Sequence, residues 1–206
     1  MLMHLSIFLI FLMSLSVHEF SHATASYFLG DSTAFLEGRI SLNPLRHIDI
    51  FGTIILPLTL LSLSFITHGI VPVFGYAKPV PIDIQKLSNS RVKVALVALA
   101  GPLSNLLIAF ITVIILINLR TKATFYNLCE FVFIVNIILA SFNLLPIPPL
   151  DGSKILEAVL PGKVRFYMEK LSWIFFIVLI ILLQTGFLNQ VVKFVSSLLI
   201  QTAEKI

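Results

Sequence analysis

Charge is what this sequence has least of: 12% of its 206 residues are Asp, Glu, Lys or Arg, while 58% are hydrophobic. Soluble domains carry roughly a quarter charged residues, so the composition excludes an ordinary water-soluble core and points to a polytopic membrane protein. Cysteine is nearly absent too. Cys129 is the only one, which rules out an intramolecular disulfide, and its place in an apolar run makes it a packing residue. Internal repeats, low-complexity tracts and a soluble domain are also missing. The N-terminus has neither the basic n-region nor the small-residue cleavage site of a signal peptide, and its apolar stretch is about twice the usual h-region, so it is expected to persist as a span. A net charge of +4 is modest for a chain whose basic residues flank spans, and nothing in it indicates nucleic-acid binding.

What is present is a series of apolar runs, at about residues 3–29, 51–73, 94–118, 127–147 and 171–186. Most approach the roughly 20 residues that cross about 30 Å of hydrocarbon as a helix; the last is shorter. Between them, residues 30–46 (GDSTAFLEGRISLNPLR) open on a Gly-Asp helix stop and carry two short extended pieces around Glu37-Gly38. That pattern predicts a small β-hairpin at the membrane surface, over residues 33–42. At the other end, Phe187, Val191, Phe194, Val195 and Leu198 recur at helical spacing, which predicts a C-terminal amphipathic helix lying in the interface.

The run at 51–73 is long enough to cross, but Pro57, Gly69 and Pro72 interrupt it. It can equally enter and return, as irregular backbone does where surrounding protein satisfies it. Basic residues discriminate. If the run crosses, the 14 Lys and Arg divide 6 to 8 between the two sides; if it re-enters, they divide 10 to 4. The second division is the positive-inside bias of a membrane protein. The expected fold is therefore all-α and polytopic, with about four transmembrane helices, a re-entrant segment, the surface β-hairpin and the amphipathic tail.

One span breaks the rule of low charge. His18-Glu19-Phe20-Ser21-His22 places three ionisable groups in five residues of the first run. Histidines at i and i+4 face the same way on a helix and can share one metal ion. Glu19 lies close enough to take a proton from a water on that metal without being a ligand itself, which is the logic of H-E-x-x-H zinc sites. The bland alternative, two packing histidines and a stray glutamate, suits a bilayer badly, because a central charge costs several kcal/mol and needs a partner or a function.

A hydrolytic zinc site takes three protein ligands and leaves a fourth position open. His4 is about four turns away on the same helix, too far to chelate with the pair. His47 and His68 are better read as surface or hairpin contacts. Asp151, in FNLLPIPPLDGSKIL, is the stronger candidate: Pro146, Pro148 and Pro149 deny the chain a regular helix, and Gly152 allows a tight turn. The alternative there is a turn-forming Asp-Gly pair at the water interface. Topology favours the ligand, since with four crossings the first and third long spans end on the same side, where Asp151 and the histidines can meet.

These residues resemble the site-2 protease family of intramembrane zinc metalloproteases, in its compact form without a PDZ or CBS domain. The resemblance runs from HEFSHA at 18–23 through LNPLRHID at 42–49, FGYAKPVPID at 74–83 and LAGPLSN at 99–105 to NLLPIPPLDG at 143–152. Ile50 and Tyr76 depart from the family pattern, and neither touches the chemistry. The resemblance implies one zinc held by His18, His22 and Asp151, with Glu19 activating water. It also implies cleavage of the transmembrane segments of membrane-protein substrates within or near the bilayer, from the cytoplasmic side of what is expected to be the plasma membrane. The chain then reads as a single protease domain over 1–206, with the HExxH helix at 1–29, the hairpin and re-entrant region at 30–93, a helix at 94–118, the LDG-motif helix at 127–152 and the C-terminal helix and tail at 165–206.

A helical substrate hides its carbonyls and must unwind, and the hairpin at 33–42 offers an edge that could hold the unwound strand. Asn105 and Asn143 each have two readings: an amide that binds substrate or the oxyanion, or a hydrogen bond between helices. Gly101, with Ala100 and Ser104, is expected to permit close helix packing. The rival class, a zinc transporter or a receptor with a structural metal, would want ionisable residues along several spans or a fourth protein ligand. The spans are almost free of both.

Overall fold

A computed structural model describes residues 2–67, 78–118 and 123–205 of the chain. Helix α1 (Leu2–Phe28) runs for 27 residues without glycine or proline. Its serines bond back to their own helix, Ser16 to the Leu12 carbonyl and Ser21 to the Val17 carbonyl, both at 2.7 Å, so they need no water. A short helical turn, α2 (Thr33–Leu36), follows, then a 3₁₀ turn (Pro44–Arg46) and a π-helical turn (Ile50–Ile55) that continues as α3 (Leu56–Thr67). The apolar run at 51–73 is thus helical as far as Thr67, and the rest of it lies outside the described residues.

Helix α4 (Arg91–Asn118) carries Pro102 without being broken by it. It packs antiparallel to α1, and three contacts fix the register. Lys93 Nζ donates to the Leu29 carbonyl at 3.0 Å, His22 Nδ1 meets the Val97 carbonyl at 2.7 Å, and Asn105 Nδ2 donates to the Ser14 carbonyl at 3.3 Å. Helix α5 (Ala123–Asn143) packs beside α4, where Ala109 and Val113 meet Phe133 and Ile137 in a buried core. Cys129 is buried, as a packing residue should be. After Asn143 the proline-rich segment unwinds, and α6 (Asp151–Val159) restarts on Asp151. Gly152 is pressed against the unwound segment. A Cβ there would lie 2.3 Å from the Leu144 carbonyl oxygen, closer than real Cβ contacts come, so a larger residue would push α6 off its seat.

Helices α7 (Gly162–Lys170), α8 (Ser172–Gln184) and α9 (Phe187–Ala203) complete the chain. Among the described residues, three helices can cross a membrane by length and composition, over Ser6–Phe28, Arg91–Asn118 and Phe125–Asn143; a fourth span results if Gly162–Met168 and Ser172–Gln184, bent by 67°, count as one. The C-terminal helix forms where its periodicity predicts, but it is apolar on two faces. Val192, Val195 and Leu199 pack onto the α4–α5 core, while Phe194 and Leu198 point outward.

The predicted β-hairpin at 33–42 is overturned: no strand occurs among the described residues, and Thr33–Leu36 is a helical turn. Asp31 starts that turn by accepting the Thr33 N–H at 2.9 Å. Within 33–42 the carbonyls of Thr33, Ala34 and Phe35 accept from the N–H groups of Glu37, Arg39 and Gly38, which is the bonding of helical turns and not of a ladder. Buried Arg39 donates to the carbonyls of Arg46, Lys78 and Pro79, and Arg46 donates to that of Gly38. The two arginines instead tie this segment to the loops around Arg46 and Lys78–Pro79.

Asp31 also ties α1 to the chain before α4. It accepts from the Ser26 hydroxyl at 2.9 Å and from the Asp83 N–H at 2.8 Å. Burial opposes its charge, but these bonds and those from Thr33 outweigh burial and hold its carboxyl below the ordinary range. A carboxylate depressed in the folded state adds stability that is complete above its unfolded value, about 4, and is lost as pH falls through the folded one. Asp31→Asn is therefore expected to destabilise the protein in detergent at pH 7 by about 1–3 kcal/mol of lost bonding, read as a lower unfolding temperature. It should also flatten the decline of stability on the acid side of pH 4. An unchanged acid limb would remove Asp31 from this role.

Candidate metal centre

One turn of α1 and the first residue of α6 build a triangle. His22 Nε2 lies 3.0 Å from His18 Nε2 and 3.1 Å from Asp151 Oδ2, and His18 Nε2 lies 3.2 Å from the same oxygen. All three side chains are buried. They form a group able to hold one metal ion, the only such group found among the described residues.

The chemistry of these donors tests the fit. The Val97 carbonyl can only accept, so His22 keeps a proton on Nδ1 and turns an Nε2 lone pair inward. His18 is likewise engaged at Nδ1, by Asn105 Oδ1 at 2.6 Å. Two imidazole lone pairs and a carboxylate oxygen thus converge, an arrangement that repels unless a cation lies between them. Tetrahedral zinc, with bonds of about 2.0–2.2 Å, asks for edges of about 3.4 Å between its ligands, slightly more than these atoms show. The residues fit zinc.

Gly101 makes the triangle possible. A Cβ on it would lie 2.3 Å from His22 Nε2 and 2.7 Å from His18 Nε2. The close packing expected of this glycine is therefore packing of α4 against the two ligand rings. Lys154, which sequence reasoning passed over, sits 3.5 Å from Asp151 Oδ1 on the outer side of the carboxylate. Its signal was only an i, i+3 spacing along α6.

The triangle opens onto a cavity of about 520 Å³. Glu19 and Asn143 line it beside the ligands, and the remaining wall is largely apolar, with Phe142, Phe176 and Leu179 among its residues. Asn143 also donates to the Leu139 carbonyl at 2.9 Å. Asn105 is fully buried behind His18 and is not among the residues lining the cavity. His47 bonds the Ser41 carbonyl at 2.7 Å in the surface loop, away from the triangle, and His68 lies outside the described residues. Sequence reasoning missed Ser14 and Asn136, which meet Asn105 in the interior. A lone amide within an apolar span was the available signal for Asn136.

The model of "Peptidase family M50" matches residues 118–184, which include Asp151. A Bacillus subtilis protein named "Putative zinc metalloprotease YwhC" is 36% identical over 183 residues, covering 84% of this chain and 78% of that protein. The chain belongs to peptidase family M50. "Putative zinc metalloprotease Rip2" of Mycolicibacterium smegmatis is 31% identical over 179 residues, covering 84% of this chain and 64% of the relative. A Methanocaldococcus jannaschii protein, "Putative zinc metalloprotease MJ0611", is 44% identical over 61 residues, 30% of this chain and 32% of its own. No solved structure matches the chain. Membership of this site-2 protease family, three to four apolar helices among the described residues and the His18–His22–Asp151 triangle together make the protein a multi-pass membrane metalloprotease that uses zinc. Removing Asp151 should leave two ligands, too few for a hydrolytic site. Asp151→Ala is expected to purify nearly free of zinc by atomic absorption, and unchanged metal content would take Asp151 out of the ligand set.

Proposed function

We propose that the protein is a site-2-type intramembrane protease, cutting peptide bonds within or near the transmembrane segments of membrane-protein substrates as part of regulated intramembrane proteolysis. The observation that carries this reading is the combination of a metal triangle, an adjacent glutamate and a largely apolar groove. His18 lies 10 residues before the end of α1 at Phe28, about 15 Å at 1.5 Å per residue. A site at that depth suits a peptide bond that starts inside the bilayer rather than in water.

Zinc, when bound by His18, His22 and Asp151, lowers the pKa of water to about 7 and polarises a carbonyl. Glu19, lining the groove beside the ligands, takes the proton from the attacking water and passes it to the departing amine. Asn143 is positioned in the same groove to donate its amide to the carbonyl oxygen as charge builds there. The apolar wall holds the flanking side chains of an unwound helix and excludes bulk water.

One contact bears on the topology. Leu29, just after α1, meets Lys93, near the start of α4, so the stretch between them leaves and returns on one face. That supports re-entry of 51–73 and the 10-to-4 division of basic residues, and it is the basic excess on that face that favours an active site toward the cytoplasm of a plasma-membrane protein.

Purified protein is expected to cut a transmembrane substrate whose helix has been weakened by helix-breaking residues. Chelation should stop cutting and added zinc should restore it, with products read by mass spectrometry. Cleavage that survives complete removal of zinc would overturn this reading.

A further inference from the structure

A histidine ligand serves its metal only if the proton sits on the other ring nitrogen, and the two ligands here secure that differently. His22 relies on a main-chain carbonyl, Val97, which cannot turn round. His18 relies on the side-chain amide of Asn105, whose oxygen and nitrogen ends have the same shape. If that amide turned over, its nitrogen would face His18 Nδ1 as a donor. The proton would move to Nε2 and close the metal site from behind.

The direction is set from α5 and α1 together. The Val132 carbonyl accepts a hydrogen bond from Asn136 Nδ2 at 2.8 Å, and the Ser14 hydroxyl oxygen accepts another from the same nitrogen at 2.9 Å. Asn136 must therefore point its nitrogen at that carbonyl and its oxygen at Asn105. Asn105 Nδ2 donates to this oxygen at 2.8 Å and to the Ser14 carbonyl at 3.3 Å, both of which face it as acceptors. Only its oxygen is left for His18. Asn105 and Asn136 are fully buried and Ser14 is nearly so, leaving bulk water no place to substitute for a missing partner.

We infer that Asn136, with Ser14, is a positioning residue for the metal site: it fixes the amide direction of Asn105, and through it the tautomer and ring orientation of His18. The inference rests on the zinc metalloprotease reading. It differs from simple helix packing because it depends on which atom donates at each step and not only on three helices being joined. Partners of this kind behind a metal ligand change metal affinity when removed.

The test uses the full-length protein in detergent, loaded with zinc, with ¹⁵N-labelled histidine and His18 assigned by loss of its signal in His18→Gln. His18 is expected to hold zinc at Nε2 and a proton at Nδ1; zinc at Nδ1 in the unaltered protein would overturn the inference without any variant. Zinc affinity is then measured by competition with a chromophoric chelator. Asn136→Leu and Asn105→Leu should each weaken it by about 10- to 100-fold. Asn105→Asp keeps an acceptor for His18 Nδ1 and should stay within several-fold of the parent, although it disturbs the contact with Asn136. A packing role reverses that ranking, because Asn105→Asp places acceptor against acceptor between α4 and α5. Parent-like affinity in Asn136→Leu would sink the relay while leaving the protease reading intact. Absence of zinc binding by the unaltered protein would sink both.

Discussion

Glu19→Gln is expected to abolish substrate cleavage while zinc content stays at the level of the unaltered protein. Glu19 is not one of the three residues whose atoms converge, yet it lines the same cavity one residue along the helix from His18. The amide keeps the length and most of the shape of the side chain, so the helix and the ligand triangle should be undisturbed. What it loses is the ability to accept a proton. Removing a positioned general base slows a reaction by about 100- to 10,000-fold, enough to take cutting of a transmembrane substrate below detection. Product formation by mass spectrometry and zinc by atomic absorption, on the same preparation, read the two halves of this expectation. Full activity in Glu19→Gln would remove Glu19 from the chemistry; loss of zinc with activity would instead make it part of the metal site.

The second large effect is expected from a single methyl group. Gly101→Ala places a carbon 2.3 Å from His22 Nε2 and 2.7 Å from both Cε1 and Nε2 of His18. Close contacts between such atoms begin above 3 Å, so the rings or α4 must give way. The rings have little freedom, since Val97 and Asn105 hold them from behind. The methyl therefore occupies the space in which the ligand atoms converge, and zinc affinity should fall by more than about 100-fold, beyond what loss of an outer partner produces. Ser104→Ala, on the same helix, removes only a bond to the Gly101 carbonyl and should keep its zinc. Chelator competition on the two variants checks the pair, and Gly101→Ala with normal affinity would show that α4 can retreat without harm.

The metal triangle was legible because its evidence is local and chemical. Two histidines one turn apart identify themselves, and an aspartate after a run of prolines announces unwound backbone at the end of a span. The long helices were legible for a similar reason, since apolar length alone suggests them. The segment after α1 was not. Thr33, Phe35 and Ile40 suit strands, but Asp31 starts a helical turn at Thr33, and Arg39 ties the segment to carbonyls 39 and 40 residues further along, at Lys78 and Pro79. No local pattern encodes such a contact. Asn136 was hidden for the opposite reason. An isolated amide in an apolar helix looks the same whether it faces lipid or another amide, and only the packing of α4 on α5 brings it to Asn105. The face that α9 turns inward was equally invisible, because its inner and outer residues are both apolar.

Asp151 being the first residue of α6 has a consequence for how the molecule is held together. The ligand atoms of His22 and Asp151 are 3.1 Å apart, yet the residues are separated by 129 positions in the chain. An ion between them acts as a clasp across a long loop, and its affinity is converted directly into resistance to unfolding. Without the clasp, Asp151 is tied to α1 only by its hydrogen bonds to the two histidines. Stripping the metal should therefore loosen the end of the bundle at α6 first, so that resistance of this corner to proteolysis reports whether the protein is loaded.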